Sequence, residues 1–404
     1  MNKHYLYEKS VSCLKVLCSD IAERCVGSEG NRKATKFFRE SISSSGWEII
    51  CQEFDAIDWK DGGSVLKVND TVFKVFVSPY SRGCSVQSGL ASAQNISELE
   101  NGSFKGKILF LHGELAKEQL MPKNFVFYNP EEHRRIIALL EKSNAKALIC
   151  ATGRNASLAG GVYPFPLIED GDFDIPSVYM TEEEGKKLIP HIGKEATLHS
   201  ESERIPGTGY NVIGKKGKDG SGRIVVSAHI DSKKGTPGAI DNATGVTVML
   251  LLAELLKDYS GERQIELVAF NGEDYFSVPG QMKYVEANQD KFGNILLNIN
   301  IDGAGYKKGK SAFSFFDLPD DMKNKALDVM KEYPGIIEGT PWPQGDHGIF
   351  IQYGRPAIAV SSQWFAENIS NQTITHTPKD NIDIVDCHKI AEIALGLNQL
   401  IREI

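Results

Sequence analysis

The first fifty residues carry apolar side chains at helical spacing, followed by a short apolar stretch. In the segment EGNRKATKFFRESISSSGWEIICQEF, the positions Ala34, Phe37, Phe38 and Ile42 fall on one face of a helix. Gly46 predicts the end of this helix, because glycine readily adopts the left-handed backbone that terminates helices. A strand should follow near residues 47–51, so this part of the chain predicts helix, helix and strand.

Beyond Trp59 the pattern changes to short β-like segments separated by turns, among them DGGSVLKVNDTVFKVFV and FKGKILFLHG. A helix near Glu131–Lys142 and a strand in AKALICATG follow. The segment DIPSVYMTEEEGKKLI predicts a strand and then a helix, because Thr181 with Glu184 three residues later forms a capping-box signature. The polar stretch 201–210, ESERIPGTGY, predicts a loop that returns the chain.

From residue 211 onward, apolar strand patterns alternate regularly with helical ones, which is typical of a mostly parallel sheet covered by helices. The predicted fold class is therefore α/β, with a mostly parallel central sheet flanked by helices. Residues 1–57 and 206–404 should form this domain, and residues 58–205 should form a β-rich module inserted into it. Such an insertion is tolerable, because the cost of closing a loop grows only logarithmically with its length.

Polar side chains cluster where the predicted strands of the C-terminal half end, and ligand sites in open α/β sheets form beyond these ends. RIVVSA leads into His229 and Asp231, IELVAF leads into Glu273 and Asp274, and ILLNINI leads into Asp302. Two further residues stand at loops: Asp241 precedes an apolar helix and His376 precedes the last helix. The residues concerned are His229, Asp231, Asp241, Glu273, Asp274, Asp302 and His376.

Each of these residues alone has an ordinary structural explanation. Asp241 could cap a helix, Asp302 could serve a turn, His229 could end a strand, and His376 could lie in a surface loop. Together, however, two histidines and five acids at one edge would repel one another and lose stability without cations. Carboxylates and imidazoles without thiolates suit a pair of divalent metal ions, zinc first, with manganese or cobalt as alternatives.

Composition narrows the class of protein. Of 404 residues, 41% are hydrophobic and 24% are charged, as in ordinary globular proteins. The net charge of −8 disfavours nucleic acid or an anionic membrane as a partner. The first residues lack the apolar core of a signal peptide, so a cytoplasmic location is expected, or an extracytoplasmic one if a leader has been removed. The seven cysteines form no CxxC pair, which argues against a disulfide framework or a structural zinc knuckle.

Five motifs occur in order along the chain: HIDSKKGTPGAIDNATG, AFNGEDYF, NIDGAG, GDHGIF and THTPKDNID. Together they closely resemble the co-catalytic zinc aminopeptidases, family twenty-eight of the metallopeptidases, which is related to glutamate carboxypeptidase and to the non-catalytic transferrin receptor. The resemblance covers residues 206–404 well and residues 20–55 more weakly. Residues 58–205 are similar to the protease-associated domain that is often inserted in this family.

The resemblance implies a ligand set for two ions. Asp241 would bridge them, His229 and Asp302 would complete one site, and Asp274 and His376 would complete the other. The family usually has Glu-Glu where this chain has Glu-Asp, so the side chain at Asp274 is about 1.5 Å shorter. Because metal–ligand distances tolerate only about ±0.2 Å, the backbone there must come closer or the ion is held more weakly.

The resemblance also implies the chemistry. Glu273 would be the general base for a water shared by the two ions, and Asp231 would orient a ligand ring. The implied protein is a metal-dependent exopeptidase, first of all an aminopeptidase that hydrolyses N-terminal residues of a peptide substrate. Gly345 stands where the family has serine, while Asp346 and His347 are retained and are expected to shape the substrate-binding end of the crevice.

Two other classes of function stay open at this point. One is an interaction protein that kept the fold without catalysis, and the other is acyl transfer by a single zinc, such as glutaminyl cyclisation. The sequence does not reveal the side-chain specificity, nor does it decide between aminopeptidase and carboxypeptidase or dipeptidase action. The role of the insert is open as well: it could cap the crevice, mediate formation of a homodimer, or both. Four histidines of the insert lack ligand spacing and should be solvated: His112, His133, His191 and His199.

Overall fold

The structure, a computed structural model, describes residues 2–21, 23–342 and 344–404. It divides the chain into two units, of which the first joins Met1–Ala56 to Thr208–Ile404 and the second is Ile57–Gly207. The boundaries expected from the sequence, after residues 57 and 205, lie within two residues of these.

The strands are β1 (Glu48–Val68), β2 (Thr71–Phe73), β3 (Phe76–Val77), β4 (Cys84–Ala93), β5 (Ile108–Leu111), β6 (Ala147–Thr152), β7 (Ser177–Thr181), β8 (Glu195–Lys216), β9 (Arg223–His229), β10 (Gln264–Phe270), β11 (Ile295–Ile301), β12 (Ser311–Phe316), β13 (Ile336–Glu338) and β14 (Ala357–Ser362). The helices are α1 (Lys3–Lys15), α2 (Glu29–Ser44), α3 (Ile96–Asn101), α4 (Glu131–Lys142), α5 (Ala156–Ala159), α6 (Glu182–Leu188), α7 (Thr244–Leu255), α8 (Pro279–Asn288), α9 (Asp320–Glu332), α10 (His347–Gln352), α11 (Gln363–Asn368) and α12 (Cys387–Glu403).

The sheet of the first unit has the order β13, β12, β14, β11, β9, β10 and β8. Neighbouring strands pair in parallel except at β12–β14 and β10–β8. This arrangement confirms the α/β fold with a mostly parallel sheet. Phe270 pairs with His229 and Ile301 pairs with Val360, so the parallel strands of the centre end at one common edge.

Helix α7 occupies the centre of the core. Every residue of Val246–Ala253 exposes at most 2% of its surface, which explains why this helix is apolar on all sides. It packs on β9 and against α1, α2 and α12. Each fully buried leucine or methionine contributes about 1.5–3 kcal/mol of burial free energy, so the helix that follows Asp241 is firmly fixed.

Helix α2 matches the spacing of its apolar residues, because Ala34, Phe38 and Ile42 are all fully buried. Gly46 adopts a φ of 73° directly after the helix, as the sequence predicts. The next residue, Trp47, is buried and donates its indole N–H to the carbonyl of Ala253 at 3.0 Å. Strand β1 then begins, so the order helix, helix and strand is confirmed.

In the second unit the strands follow the order β8, β4, β5, β6, β7 and β3, and β8 (Glu195–Lys216) extends beyond the unit's last residue. The pairs β4–β5, β5–β6 and β6–β7 are parallel, while β4–β8 and β3–β7 are antiparallel. Helix α4 has the predicted bounds, and Thr181 accepts a hydrogen bond from the backbone N–H of Glu184 at 3.1 Å. Helices α3, α4 and α6 lie between its strands in the sequence.

Two expectations from the sequence are wrong. The stretch 201–210 is not a loop, because it lies inside β8, which pairs with β1. A strand bonded through its backbone needs no apolar side chains, so its polar sequence did not reveal it. His133 is not solvated: only 5% of it is exposed, and its Nδ1 accepts the N–H of Met121 at 3.1 Å. It lies on the apolar face of α4, at helical spacing to Ile136 and Leu140.

All seven cysteines lie within the described residues and none of them forms a disulfide. The helices of the described chain include none with the length and apolar character needed to cross a membrane.

Candidate metal centre

The ends of the central strands bring together most of the polar residues singled out in the sequence. Strand β9 ends with His229, and the neighbouring β10 leads into the loop that carries Glu273 and Asp274. Strand β11, on the other side of β9, leads into Asp302. The strand-end argument therefore places these side chains at one edge of the sheet, as expected.

Asp241 lies between the two histidines. Its Oδ1 is 3.1 Å from Nε2 of His229, and its Oδ2 is 3.1 Å from Nε2 of His376. The two carboxylate oxygens of one residue thus face two different imidazole rings, although His229 and His376 are far apart in the chain.

Each histidine also faces an acid of its own. Nε2 of His229 is 3.7 Å from Oδ1 of Asp302, and Nε2 of His376 is 3.1 Å from Oδ1 of Asp274. The five residues therefore form two groups that share Asp241, and the shorter side chain of Asp274 still reaches the same distance from His376 as Asp241 does.

The backbone before α7 explains how Asp241 can point into this space. At Asp241 and Asn242 the φ and ψ angles leave the helical region, so Asp241 is not aligned with the axis of α7. Asn242, not Asp241, serves the helix start, because its Oδ1 accepts the N–H of Gly245 at 3.0 Å. Its Nδ2 donates to the carbonyl of Ile301 at 2.8 Å, which ties this turn to the end of β11.

Asp231 anchors the neighbouring loop. Its Oδ1 accepts the backbone N–H groups of Gly272 at 2.8 Å and Glu273 at 3.3 Å, and its Oδ2 accepts that of Asp274 at 3.0 Å. Its Oδ1 is also 3.7 Å from Nδ1 of His229, which is longer than a hydrogen bond. The contact of Asp231 with the ring of His229 is thus weaker than its hydrogen bonds to the backbone of residues 272–274.

The charges of the centre depend on one another. Burial lowers the pKa of His229 and of His376, but the surrounding carboxylates raise the pKa of both rings well above their ordinary values. Burial likewise raises the pKa of Asp241, but the two histidines hold that pKa below its usual range. The lowered pKa keeps the Asp241 carboxylate charged, because two positively charged rings lie beside it.

Glu273 is partly exposed next to this centre. Burial raises the pKa of Glu273 well above its ordinary value, against the attraction of His229, and repulsion from Asp274 and Asp302 adds to this effect. A carboxylate with a raised pKa is a better proton acceptor near neutral pH than an ordinary surface glutamate.

Comparison with known protein families matches the part of the chain that carries these residues. The sequence model of peptidase family M28 matches residues 211–401. This part of the chain, which carries the predicted metal ligands, is therefore similar to the M28 peptidases. The M28 match does not extend into Ile57–Gly207, so the likeness of that unit to a protease-associated domain stays a prediction.

Curated proteins are similar to this chain in sequence, and solved structures are similar to it in fold. Aminopeptidase YwaD of Bacillus subtilis is 26% identical over 270 residues, covering 62% of this chain and 55% of that protein. The chain thus spans about half the length of the curated relatives it matches. The solved aminopeptidase from Aneurinibacillus sp. strain AM-1 superimposes with a TM-score of 0.77 at 20% identity, over 98% of this chain and 93% of the other. A zinc aminopeptidase from Bacillus subtilis gives 0.75 at 19% identity, over 98% and 95%.

The residues present fit a divalent metal ion of the zinc type; a second ion stays a prediction. Single ligand atoms of His229, Asp241 and Asp274 lie within 4.8 Å of one another. Both ring nitrogens of His229 and Oδ2 of Asp274 are buried without a well-formed hydrogen bond to any described residue. Buried polar atoms normally have partners, and imidazole nitrogens with carboxylate oxygens are ligands that zinc accepts.

Asp346 and His347, the predicted substrate-binding residues, are both buried at the start of α10. Oδ1 of Asp346 accepts the side-chain N–H of Gln281 at 2.9 Å, and burial raises the pKa of Asp346 to about 7. Nε2 of His347 lies 2.9 Å from the carbonyl oxygen of Trp342. Their role in substrate binding stays a prediction.

Two charged residues beside the centre were missed by the sequence reasoning. Arg24 and Asp380 are buried, with 1% and 0% exposure, and both bond to the loop that carries Asp241. Their only signal in the sequence is their position inside RCVGSEGN and THTPKDNID, two segments that carry the family resemblance.

Proposed function

We propose that this protein is a zinc-dependent aminopeptidase of family M28, acting on peptides with a free amino terminus. The observation that carries the proposal is the geometry of Asp241, whose two oxygens each lie 3.1 Å from a different histidine. A carboxylate shared in this way, with a further acid beside each ring, is the arrangement that two adjacent cations require.

In the proposed mechanism, bound zinc activates the substrate and the water, and the protein's own residues transfer the proton. Two zinc ions bound by His229, Asp241, Asp274, Asp302 and His376 would polarise the scissile carbonyl and lower the pKa of an attacking water.

Glu273 would take the proton of that water and deliver it to the leaving amine, which its raised pKa supports. Asp231 fixes the backbone of residues 272–274 and thereby the position from which Glu273 acts.

The two alternatives predict different properties. A non-catalytic interaction protein has no need of a proton acceptor beside two histidines and three further acids. A single-zinc acyl transferase has no need of the second group of Asp274 and His376, which lie 3.1 Å apart. The geometry therefore favours the hydrolytic centre over both.

The test combines a substrate panel with metal removal. Aminoacyl chromogenic substrates, N-blocked controls, C-terminal dipeptides and a glutaminyl peptide are offered to wild-type, zinc-stripped and zinc-restored protein. We expect hydrolysis of free-amine substrates only, lost on stripping and recovered with about two zinc ions per chain. Glu273→Gln should keep its zinc but lose about 100-fold or more in kcat, the lower range of what a general base contributes.

Glu266→Gln is a suitable control, because Glu266 lies on β10 and bonds to Arg223 and Tyr284 away from the centre. It should keep wild-type kcat even if the protein is less stable. Equal rates in stripped, restored and Glu273→Gln protein would reject the proposal, and one zinc per chain with cyclisation of the glutaminyl peptide would support acyl transfer instead.

A further inference from the structure

The loop between β9 and α7 is held by charged side chains from both ends of the chain. It runs from Ile230 to Asp241 and so connects a predicted ligand of one ion, His229, to the shared Asp241. Arg24 reaches it from the N-terminal segment and Asp380 from the segment that follows His376.

Arg24 binds the carbonyl groups of this loop. Its Nε donates to Ile230 at 3.0 Å, its Nη1 donates to Pro237 at 2.7 Å, and its Nη2 donates to Gly238 at 2.7 Å. A further bond from Nη1 to the carbonyl of Leu17 at 2.7 Å fixes the guanidinium to its own segment. A buried guanidinium needs such acceptors, because an unpaired buried charge is strongly destabilising.

Asp380 binds the N–H groups of the same loop. Its Oδ1 accepts from Ile240 at 2.7 Å, its Oδ2 accepts from Asp241 at 3.1 Å, and its backbone carbonyl accepts from Ala239 at 3.2 Å. Each carboxylate oxygen therefore has its own donor, and both donors lie at or next to the shared Asp241.

The packing leaves little freedom between these two contacts. A Cβ on Gly238 would lie 2.8 Å from Nη2 of Arg24 and 2.5 Å from the carbonyl oxygen of Asp241. The carbonyl of Gly238 also accepts the N–H of Ala243 at 3.0 Å, directly beyond the turn. A shift of the guanidinium would therefore displace the carbonyl of Gly238, which also holds Ala243 on the other side of Asp241.

We infer that Arg24 and Asp380 are positioning residues that fix the direction of the Asp241 carboxylate, so that its two oxygens are set for two zinc ions. The cation holds the carbonyl side of the loop and the anion holds the N–H side. This inference rests on the proposed function, because it requires that the centre binds zinc. Because Asp241 is shared, loss of either contact should weaken both ions, and outer partners of metal ligands typically change metal affinity by about 10–100-fold.

The variants are Arg24→Lys and Asp380→Asn. Lysine keeps the charge but cannot reproduce the planar set of donors. Asparagine keeps the shape but turns an NH2 group toward one of the two N–H donors, which cannot bond to it.

The chain offers a matched control for each variant. Arg223→Lys alters a buried arginine at the far end of β9, which bonds to Glu266 and Asn288. Asp170→Asn alters a buried aspartate whose two oxygens also accept one backbone N–H each, in the second unit.

Zinc affinity of each full-length, metal-free protein is measured by competition with a chromophoric chelator, alongside the visible spectrum of the cobalt(II) form and thermal unfolding of the metal-free form. Arg24→Lys and Asp380→Asn should bind zinc at least about tenfold more weakly, with an altered cobalt spectrum. Both controls should stay within about twofold of wild type, even where their unfolding temperature falls.

The outcomes separate this inference from the proposed function. Wild-type affinity and spectrum in both variants, or an equal loss in the controls, would overturn the positioning role while leaving the peptidase proposal intact. Failure of the wild type to bind zinc would overturn the peptidase proposal first. If Arg24→Lys does not fold, Asp380→Asn against Asp170→Asn decides the matter alone.

Discussion

Two glycines in the loop before Asp241 allow its packing to be measured directly. Gly235 and Gly238 both adopt positive φ, 80° and 57°, so alanine is strained in either place. Around Gly235 nothing lies within 4 Å of the added Cβ, whereas at Gly238 the Cβ meets the carbonyl oxygen of Asp241 at 2.5 Å and Cβ of Ser232 at 2.7 Å. Gly238→Ala therefore adds crowding to strain, and Gly235→Ala adds strain alone.

The magnitudes follow from these contacts. The left-handed backbone costs a residue with a Cβ about 1–2 kcal/mol, which is the expected destabilisation for Gly235→Ala. Overpacking adds about 1–3 kcal/mol, so Gly238→Ala should lose about 2–5 kcal/mol. Because whole proteins are stable by only about 5–15 kcal/mol, the second loss is large.

Urea unfolding of the metal-free variants, followed by far-UV circular dichroism, gives the two free energies. Zinc affinity, measured on the same samples, should fall for Gly238→Ala because the carbonyl of Asp241 must move, and should stay at the wild-type value for Gly235→Ala. Equal losses of stability in the two variants would show that the loop does not press on Asp241 and would refute this reasoning.

Two further predictions address other contacts. Asp231→Asn should lower kcat by about 10–100-fold, because one N–H of the Gly272–Asp274 loop then faces an NH2 group; steady-state kinetics with a zinc determination checks this. Burial raises the pKa of the Cys13 thiol to about 12, so only about one in 10⁴ of these thiols is ionised at pH 8, and the ionised fraction grows tenfold for each further pH unit. Iodoacetamide should label the exposed Cys51 well before Cys13 at pH 8, as read by peptide mass spectrometry, and parallel labelling would contradict the burial of Cys13.

Much of the fold was predictable because its signals are local. The spacing of Ala34, Phe38 and Ile42 defines the buried face of α2, and the mostly apolar sequence of α7 predicts a helix surrounded by protein. The edge that carries His229 was also predictable, because parallel strands all end on the same side of a sheet. In each case the polarity and spacing of the side chains reflect where they lie in the fold.

Contacts made through the backbone do not depend on the type of side chain, so the sequence does not reveal them. Residues 201–210 belong to β8 although they are polar, since pairing with β1 uses main-chain groups. Asp231, predicted to orient a histidine ring, lies 3.7 Å from Nδ1 of His229, and its carboxylate also accepts three N–H groups in the loop of Glu273, which the sequence did not reveal. Such a hydrogen bond cannot be predicted from the types of side chain in the sequence, because its donors are backbone N–H groups that every residue except proline carries.

The same reason explains why the family difference at Asp274 could not be interpreted from the sequence. A side chain shorter by one methylene, about 1.5 Å, leaves a deficit that only the backbone can make up. In the structure, Oδ2 of Asp231 accepts the backbone N–H of Asp274 at 3.0 Å. Oδ1 of Asp274 lies 3.1 Å from Nε2 of His376, and Oδ2 of Asp241 lies at the same distance from that nitrogen. The shorter side chain thus approaches His376 from a backbone position that Asp231 holds, so Asp231 has a role in this chain beyond its contact with His229.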